Sequence, residues 1–219
     1  MNHNSWGKDG NTSVCDLNDG GLLMVDTKDT ETAKNIMKAF IGESMARNRY
    51  TMFAKIAKKE GYELISGIFE ETANQEMEHA KLNYKMMVDD LGINGVGMEV
   101  DADGPVIFKD TASILQSAID GEHYETTVMY PEFADTAEKE GYPKIAARFR
   151  AIGRAEWHHE QRYTKLLEQV KSETMFKKDK KITWICRKCG YIHDGEVPPK
   201  ICPACSHPIS YFQRQCEEY

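Results

Sequence analysis

The sequence predicts an all-α four-helix bundle followed by a small C-terminal metal knuckle with short β-strands. Three observations carry that prediction. Two Glu-x-x-His pairs, Glu76 with His79 and Glu156 with His159, lie 80 residues apart. The string FAKIAKKEGY from Phe53 returns as FADTAEKEGY from Phe133 at the same offset of 80, so one helical hairpin is written twice. Cys186, Cys189, Cys202 and Cys205 form two C-x-x-C turns, the spacing that holds one tetrahedral metal by four thiolates.

Residues 1–29 are rich in Asn, Asp and Gly, which predicts a mobile tail. Asp16, Asn18 and Asp19 hint at a calcium loop, but Gly20 and Thr27 stand where such a loop needs oxygen ligands. The bundle is expected over 30–171. In its first helix, about 30–60, Ile36, Phe40, Glu43, Tyr50, Phe53 and Ala57 share a face, and Gly61 can end it in a left-handed cap. The second, about 62–88, turns Ile65, Phe69, Thr72, Glu76 and His79 inward, with Gly92 past its end. A Gly-rich stretch over 90–109 then reads as a long crossover. The third helix opens on Asp110 as N-cap and runs to about 140, and the fourth opens on Pro143 and runs to about 171.

The repeat slips once. Tyr50 and Tyr130 keep the offset of 80, but Glu43 answers to Glu122 at 79. One inserted residue between 122 and 130 is expected to be absorbed as a π-bulge, with Pro131 favouring a kink there. Residues 172–181 form a lysine-rich linker. Residues 182–219 carry too few apolar side chains for a conventional core, so a metal must staple them.

Net charge is −7 with no basic block, which argues against nucleic acid. No apolar run is long enough for a membrane span, and Leu22 to Val25 is too short an apolar cluster for a signal peptide. Thiolates in ligand spacing suit a reducing compartment, so a cytoplasmic protein is expected, with Cys15 and Cys216 as ordinary free thiols. Gly92, Gly95 and Gly97 lack the spacing of a dinucleotide fingerprint.

In an antiparallel bundle Glu43, Glu76, His79, Glu122, Glu125, Glu156 and His159 can converge. Five carboxylates in one core repel and desolvate unless cations lie between them. One Glu from each of two helices plus Glu-x-x-His from each of the other two is the ferritin-like di-iron or di-manganese pattern. A lone Glu-x-x-His is ordinarily a solvated pair; two copies with matched carboxylates favour the metal site. Glu125, three residues after Glu122, is an additional ligand, and the greater hardness of ferric iron suggests that it displaces His79 on oxidation. Tyr50 and Tyr130 suit either core packing with a wet tip or hydrogen bonding to the ligating carboxylates. Trp157 and His158 fall off the ligand face, and His193 and His207 read as loop residues. The cysteine set suits a structural zinc ribbon as well as iron; only iron adds one-electron chemistry.

With these residues in view, the chain resembles the rubrerythrins over roughly 35–213. The resemblance lies in GESMARNRY, QEMEHA, GEHYETTVMYPEF and RAEWHHEQRY, and in CRKCGY with CPAC, which resemble a rubredoxin module. It implies a non-haem di-iron centre, with one iron held by Glu43 and by Glu125 or His79, the other by Glu122 and His159, and Glu76 and Glu156 bridging. It further implies Tyr50 and Tyr130 as hydrogen-bond donors to the ligands, one Fe(Cys)4 site at Cys186, Cys189, Cys202 and Cys205, and reduction of hydrogen peroxide to water in oxidative-stress protection. The tail does not belong to that pattern.

The leading expectation is thus a peroxidase. With no nicotinamide site in the chain, electrons must come from an external donor, a rubredoxin or an NAD(P)H-dependent reductase. The alternatives are a ferroxidase that handles iron, and a non-enzymatic zinc-ribbon module that binds a partner. The distance from the metal site to the end of the fourth helix suggests a head-to-tail homodimer, or a higher oligomer built from it, in which each cysteine site serves its neighbour.

Overall fold

The computed structural model describes residues 26–216. Most of the tail, Cys15 and the acidic run at 16–19 therefore lie outside the described residues, and Thr27–Asp29 form a single 3-10 turn. Four helical segments follow: α1 (Glu31–Lys59), α2 (Glu63–Lys85), α3 (Thr111–Tyr124) continued by α4 (Tyr130–Lys139), and α5 (Pro143–Lys171). The knuckle adds β1 (Ile182–Cys186), β2 (Ile192–Gly195) and β3 (Phe212–Arg214). No helix among the described residues is long and apolar enough to cross a membrane.

The inserted residue appears where the repeat slips. Between α3 and α4 the chain makes a π turn, Glu125–Met129. A second π turn, Met86–Asp90, lengthens the second helix beyond its expected end at about 88 and is closed by a bond from Leu91 N–H to the Met86 carbonyl (3.1 Å).

The residues group into two compact units. One comprises 26–46, 75–104 and 124–156. Its core joins Ala33, Ile36 and Ala39 of α1 to Met86, Met87, Tyr130, Phe149 and Ile152. The N-terminus of α1 is held by the Glu140 carboxylate, which accepts from the N–H groups of Glu31 (3.1 Å) and Thr32 (2.8 Å). A carboxylate there satisfies orphan donors and complements the helix dipole.

The other unit comprises 47–74, 105–123 and 157–216. Glu60, the repeat counterpart of Glu140, does the same for α3: its carboxylate accepts from Thr111 N–H (2.8 Å) and Oγ1 (2.6 Å). Asp110 caps α3 as expected, accepting from Ser113 N–H (2.8 Å), and that bond holds its carboxyl below the usual range. Gly61 takes φ +84 at the end of α1, a left-handed cap that glycine adopts without strain.

In the same unit the knuckle forms an antiparallel sheet of order β2-β1-β3 around buried Trp184, whose indole N–H reaches the Gly195 carbonyl (2.9 Å). His193, expected in a loop, lies in β2, because its backbone pairs with Trp184. The knuckle rests on the α1–α2 turn: a Cβ on Gly67 would come 2.5 Å from the Arg187 guanidinium, so the missing side chain makes room for it. The lysine-rich segment is tied down. Phe176 stacks on Tyr62 at 6.2 Å, and Lys178 Nζ donates to Gln169 Oε1 (2.7 Å) on α5.

Candidate metal centres

Both units carry expected site residues: Glu43, Glu76, His79, Tyr130 and Glu156 in the first, Tyr50, Glu122 and His159 in the second. In the first unit the His79 Nδ1 lies 2.8 Å from Glu156, 3.0 Å from Glu76 and 4.0 Å from Glu43. Tyr130 O–H donates a short hydrogen bond to Glu43. Glu43 and Glu156 are completely buried and Glu76 nearly so. Burial, then the neighbouring Glu156, Glu76 and Glu125, push the Glu43 carboxyl well above its ordinary range. Burial opposes charge on His79 as well, but hydrogen bonds from its ring to Glu156 and Glu76 outweigh it and raise the imidazole to about 10. Tyr130, raised by burial and by the same carboxylates, keeps its proton and stays a donor.

In the second unit Tyr50 O–H donates to Glu122 (2.5 Å), and His159 Nδ1 lies 3.4 Å from the other oxygen of that carboxylate. Tyr50 answers to Tyr130 and Glu122 to Glu43, so each tyrosine serves the carboxylate of the other hairpin. Both rings are buried, and both hydroxyls donate to a carboxylate.

Ligand atoms of Glu43, Glu76, His79 and Glu156, all of the first unit, lie within 4.8 Å of one another. The donor chemistry fits metal cations: buried carboxylates crowded together repel one another and lose hydration unless positive charge lies between them, which metal ions supply. Glu125 is not part of that set. It is half-buried and acts on Glu43 and Tyr130 through its charge. Trp157 and His158 are exposed, off the ligand face as expected.

The knuckle brings its four cysteines together by two similar turns, in which Gly190 N–H bonds the Cys186 carbonyl and Ser206 N–H that of Cys202, both at 2.9 Å. Their sulfurs approach at 3.8 Å (Cys186–Cys205) and 3.7 Å (Cys189–Cys202). A disulfide needs about 2.05 Å. Four thiolates at about 2.3 Å from one tetrahedral ion stand about 3.8 Å apart, so the observed separations match a metal. Burial alone raises the Cys202 thiol, but N–H bonds from Ala204 and Cys205 win and lower it to about 7. An N–H bond from His207 lowers the Cys205 thiol, but burial and the three neighbouring sulfurs push it up to about 12.

Family models match on both parts. Residues 34–167 match the rubrerythrin model, and residues 184–213 match the rubredoxin-like domain of rubrerythrin. The chain belongs to the rubrerythrin family. A protein of Methanocaldococcus jannaschii named for that family is 55% identical over 86% of this chain and 95% of its own length. Rubrerythrin of Clostridium perfringens is 47% identical over 90% of this chain and its entire length. Among solved structures, partially reduced nigerythrin is 32% identical, with a TM-score of 0.57 over 85% of this chain and 90% of its own. A bacterioferritin from Desulfovibrio desulfuricans shares the fold at 20% identity and a TM-score of 0.55. The bundle is thus ferritin-like, with a di-iron site of carboxylate and histidine donors, and the knuckle is rubredoxin-like.

One buried polar residue beside these donors belongs to no motif: Asn83, on α2 one turn beyond His79. The signal for it was a polar residue on an otherwise inward face.

Proposed function

We propose that the protein is a non-haem di-iron peroxidase of the rubrerythrin type, which reduces hydrogen peroxide to water with electrons relayed through its Fe(Cys)4 site from an external rubredoxin or NAD(P)H-dependent reductase. The observation that carries the reading is the presence, in one chain, of a cluster of buried carboxylate and histidine donors and of four cysteine sulfurs at metal-binding separation. Glu43, Glu122 and the two histidines are assigned as terminal ligands, Glu76 and Glu156 as bridges, and Glu125 as the ligand that exchanges with His79. Iron held by these residues would supply the two electrons that reduction of peroxide needs, to be restored through the cysteine site.

The residues around that centre set its conditions. Tyr130 and Tyr50 hold Glu43 and Glu122 in fixed orientation by donating to them, which leaves the other oxygen of each for a cation. Burial of the donor set keeps competing water out and strengthens each electrostatic interaction. In this reading the protein works as a head-to-tail homodimer in the cytoplasm and protects the cell against peroxide.

Iron-loaded protein with a donor system should turn over peroxide, and Cys186→Ser should abolish that turnover while leaving the bundle able to be oxidised once. Colourless, zinc-containing knuckles would contradict the relay. Oxidation and retention of added Fe2+ without donor-linked peroxide turnover would favour iron handling instead.

A further inference from the structure

At one buried position the repeat that builds the two half-centres exchanges an aromatic ring for an amide. At an offset of 80, Tyr50, Phe53, Phe69 and Tyr163 answer to Tyr130, Phe133, Phe149 and Asn83. The first four form an aromatic cluster in which the Tyr163 ring lies 5.6 Å from Tyr50 and 4.9 Å from Phe69. In the counterpart, Tyr130 and Phe133 each lie 5.8 Å from Phe149. The fourth place holds an amide instead of a ring.

Asn83 is 0% exposed, and neither its Oδ1 nor its Nδ2 has a hydrogen-bond partner among the described residues. An amide in that condition pays a desolvation cost with nothing in the fold to offset it. α2 runs on from it into the apolar cluster of Met86, Met87, Tyr130 and Phe149, where an aliphatic side chain would serve packing better. Its direction is set by the helix. Asn83 follows Glu76 by seven residues and His79 by four, so the three share one face, and Cα–Cβ bonds lean toward the helix N-terminus. The amide therefore leans over the turn that carries His79, whose Nδ1 meets Glu76 and Glu156. Two N–H donors and one carbonyl acceptor on the same small group suit a hydroxylic molecule of one or two oxygen atoms.

We propose that Asn83 binds the small exogenous ligand of the Glu43–His79 metal position through its side-chain amide, and that in turnover this ligand is hydrogen peroxide. Nδ2 donates to a peroxide oxygen and Oδ1 accepts a peroxide O–H; no bond is made or broken at this residue. The ligand's identity rests on the peroxidase reading above. The subsite rests on the unpartnered amide. The half-centre carrying Tyr163 lacks the equivalent group, which makes the two metal positions inequivalent toward small ligands.

The test compares wild type with Asn83→Leu, close in volume and apolar, and Asn83→Ser, which keeps a hydroxyl. Three readouts separate binding from packing: melting of the metal-free protein, azide affinity of the iron-loaded protein by absorption titration, and KM against kcat for hydrogen peroxide. Asn83→Leu should raise the melting temperature, because an unpaired dipole is removed. It should weaken azide about tenfold, the worth of one hydrogen bond, and raise the peroxide KM by a similar factor with kcat little changed. Asn83→Ser should recover part of the affinity. Unchanged azide affinity and KM in the leucine variant would reduce Asn83 to a packing residue. If Asn83→Leu does not fold, Asn83→Ala carries the same comparison. If the wild type turns over no peroxide, the peroxidase reading fails by itself, and azide alone decides: weakening supports the subsite and invariance overturns it.

Discussion

Glu43 takes a hydrogen bond from Tyr130 and sits 4.0 Å from His79, and the charge of Glu125 acts on the same carboxylate. Glu125 lies in the π turn, whose wider backbone ring places a carboxylate beside the ligand face without committing it to the donor set. In the proposed redox-linked exchange, ferrous iron would keep the His79 nitrogen and the harder ferric ion would take the Glu125 oxygen. His79→Ala should therefore weaken the reduced state and Glu125→Ala the oxidised one, moving the di-iron potential in opposite directions. Shifts of one sign in both would exclude the exchange. A second residue-level prediction concerns the knuckle. Gly190 and Ser206 follow the second cysteine of their turns and adopt φ +77 and +59. The left-handed region costs a residue with a Cβ about 1 kcal/mol. Ser206→Gly should relieve most of that and stabilise the knuckle by up to about 0.5 kcal/mol after the entropy of glycine is subtracted, seen as slower loss of the iron–thiolate absorption in denaturant. Faster loss would mean that the serine stabilises the turn in some other way.

Among the elements, the α1 and α3 N-termini show how the repeat closes on itself. Glu140 follows α4 and caps α1, and Glu60 follows α1 and caps α3. Thr32 and Thr111 are buried, so water cannot replace these acceptors. Glu60→Ala and Glu140→Ala should each cost about 1–2 kcal/mol, and Glu→Gln less, as chemical denaturation would measure. Two substitutions costing under a few tenths would show that the helix starts are held by packing alone. The same elements mark what the residues announce. Helix spans followed from apolar periodicity and from Gly61 and Pro143, and the π turn at Glu125 from the slip between offsets of 79 and 80. The donor residues were legible because two copies of one motif leave little room for chance. The glutamate caps were not, since each joins residues 51 or 108 positions apart and no local pattern marks a carboxylate just past a helix as the cap of another. The π turn at Met86 adds no residue to the repeat and so leaves no trace in the offset. Asn83 escaped because its meaning lies in burial without a partner, which only three-dimensional packing reveals.

At the scale of the molecule, the proposed relay needs a path from the cysteine metal site to the carboxylate metal site. α5 continues for twelve residues from His159 to Lys171, so it ends about 18 Å past that histidine. Phe176 on Tyr62 and Lys178 on Gln169 then tie the following segment to the same end, and Arg187 lies over Gly67 near the start of α2. A knuckle held there is a long step from the His159 of its own chain, and electron transfer slows steeply with distance. Docking of each knuckle on a neighbouring subunit's bundle would shorten the step, which is the reason for the proposed head-to-tail homodimer. The arrangement predicts complementation. A Cys186→Ser subunit keeps its carboxylate site and lacks a relay, while a Glu76→Ala subunit keeps the relay and lacks a competent carboxylate site. Hybrid dimers of the two should recover about half of wild-type turnover per dimer if transfer crosses the interface, because one of the two pairings retains both centres. Neither homodimer should show more than a trace. Size-verified hybrids in which each surviving site holds iron, yet peroxide turnover stays at the level of the parents, would place the relay within a single chain.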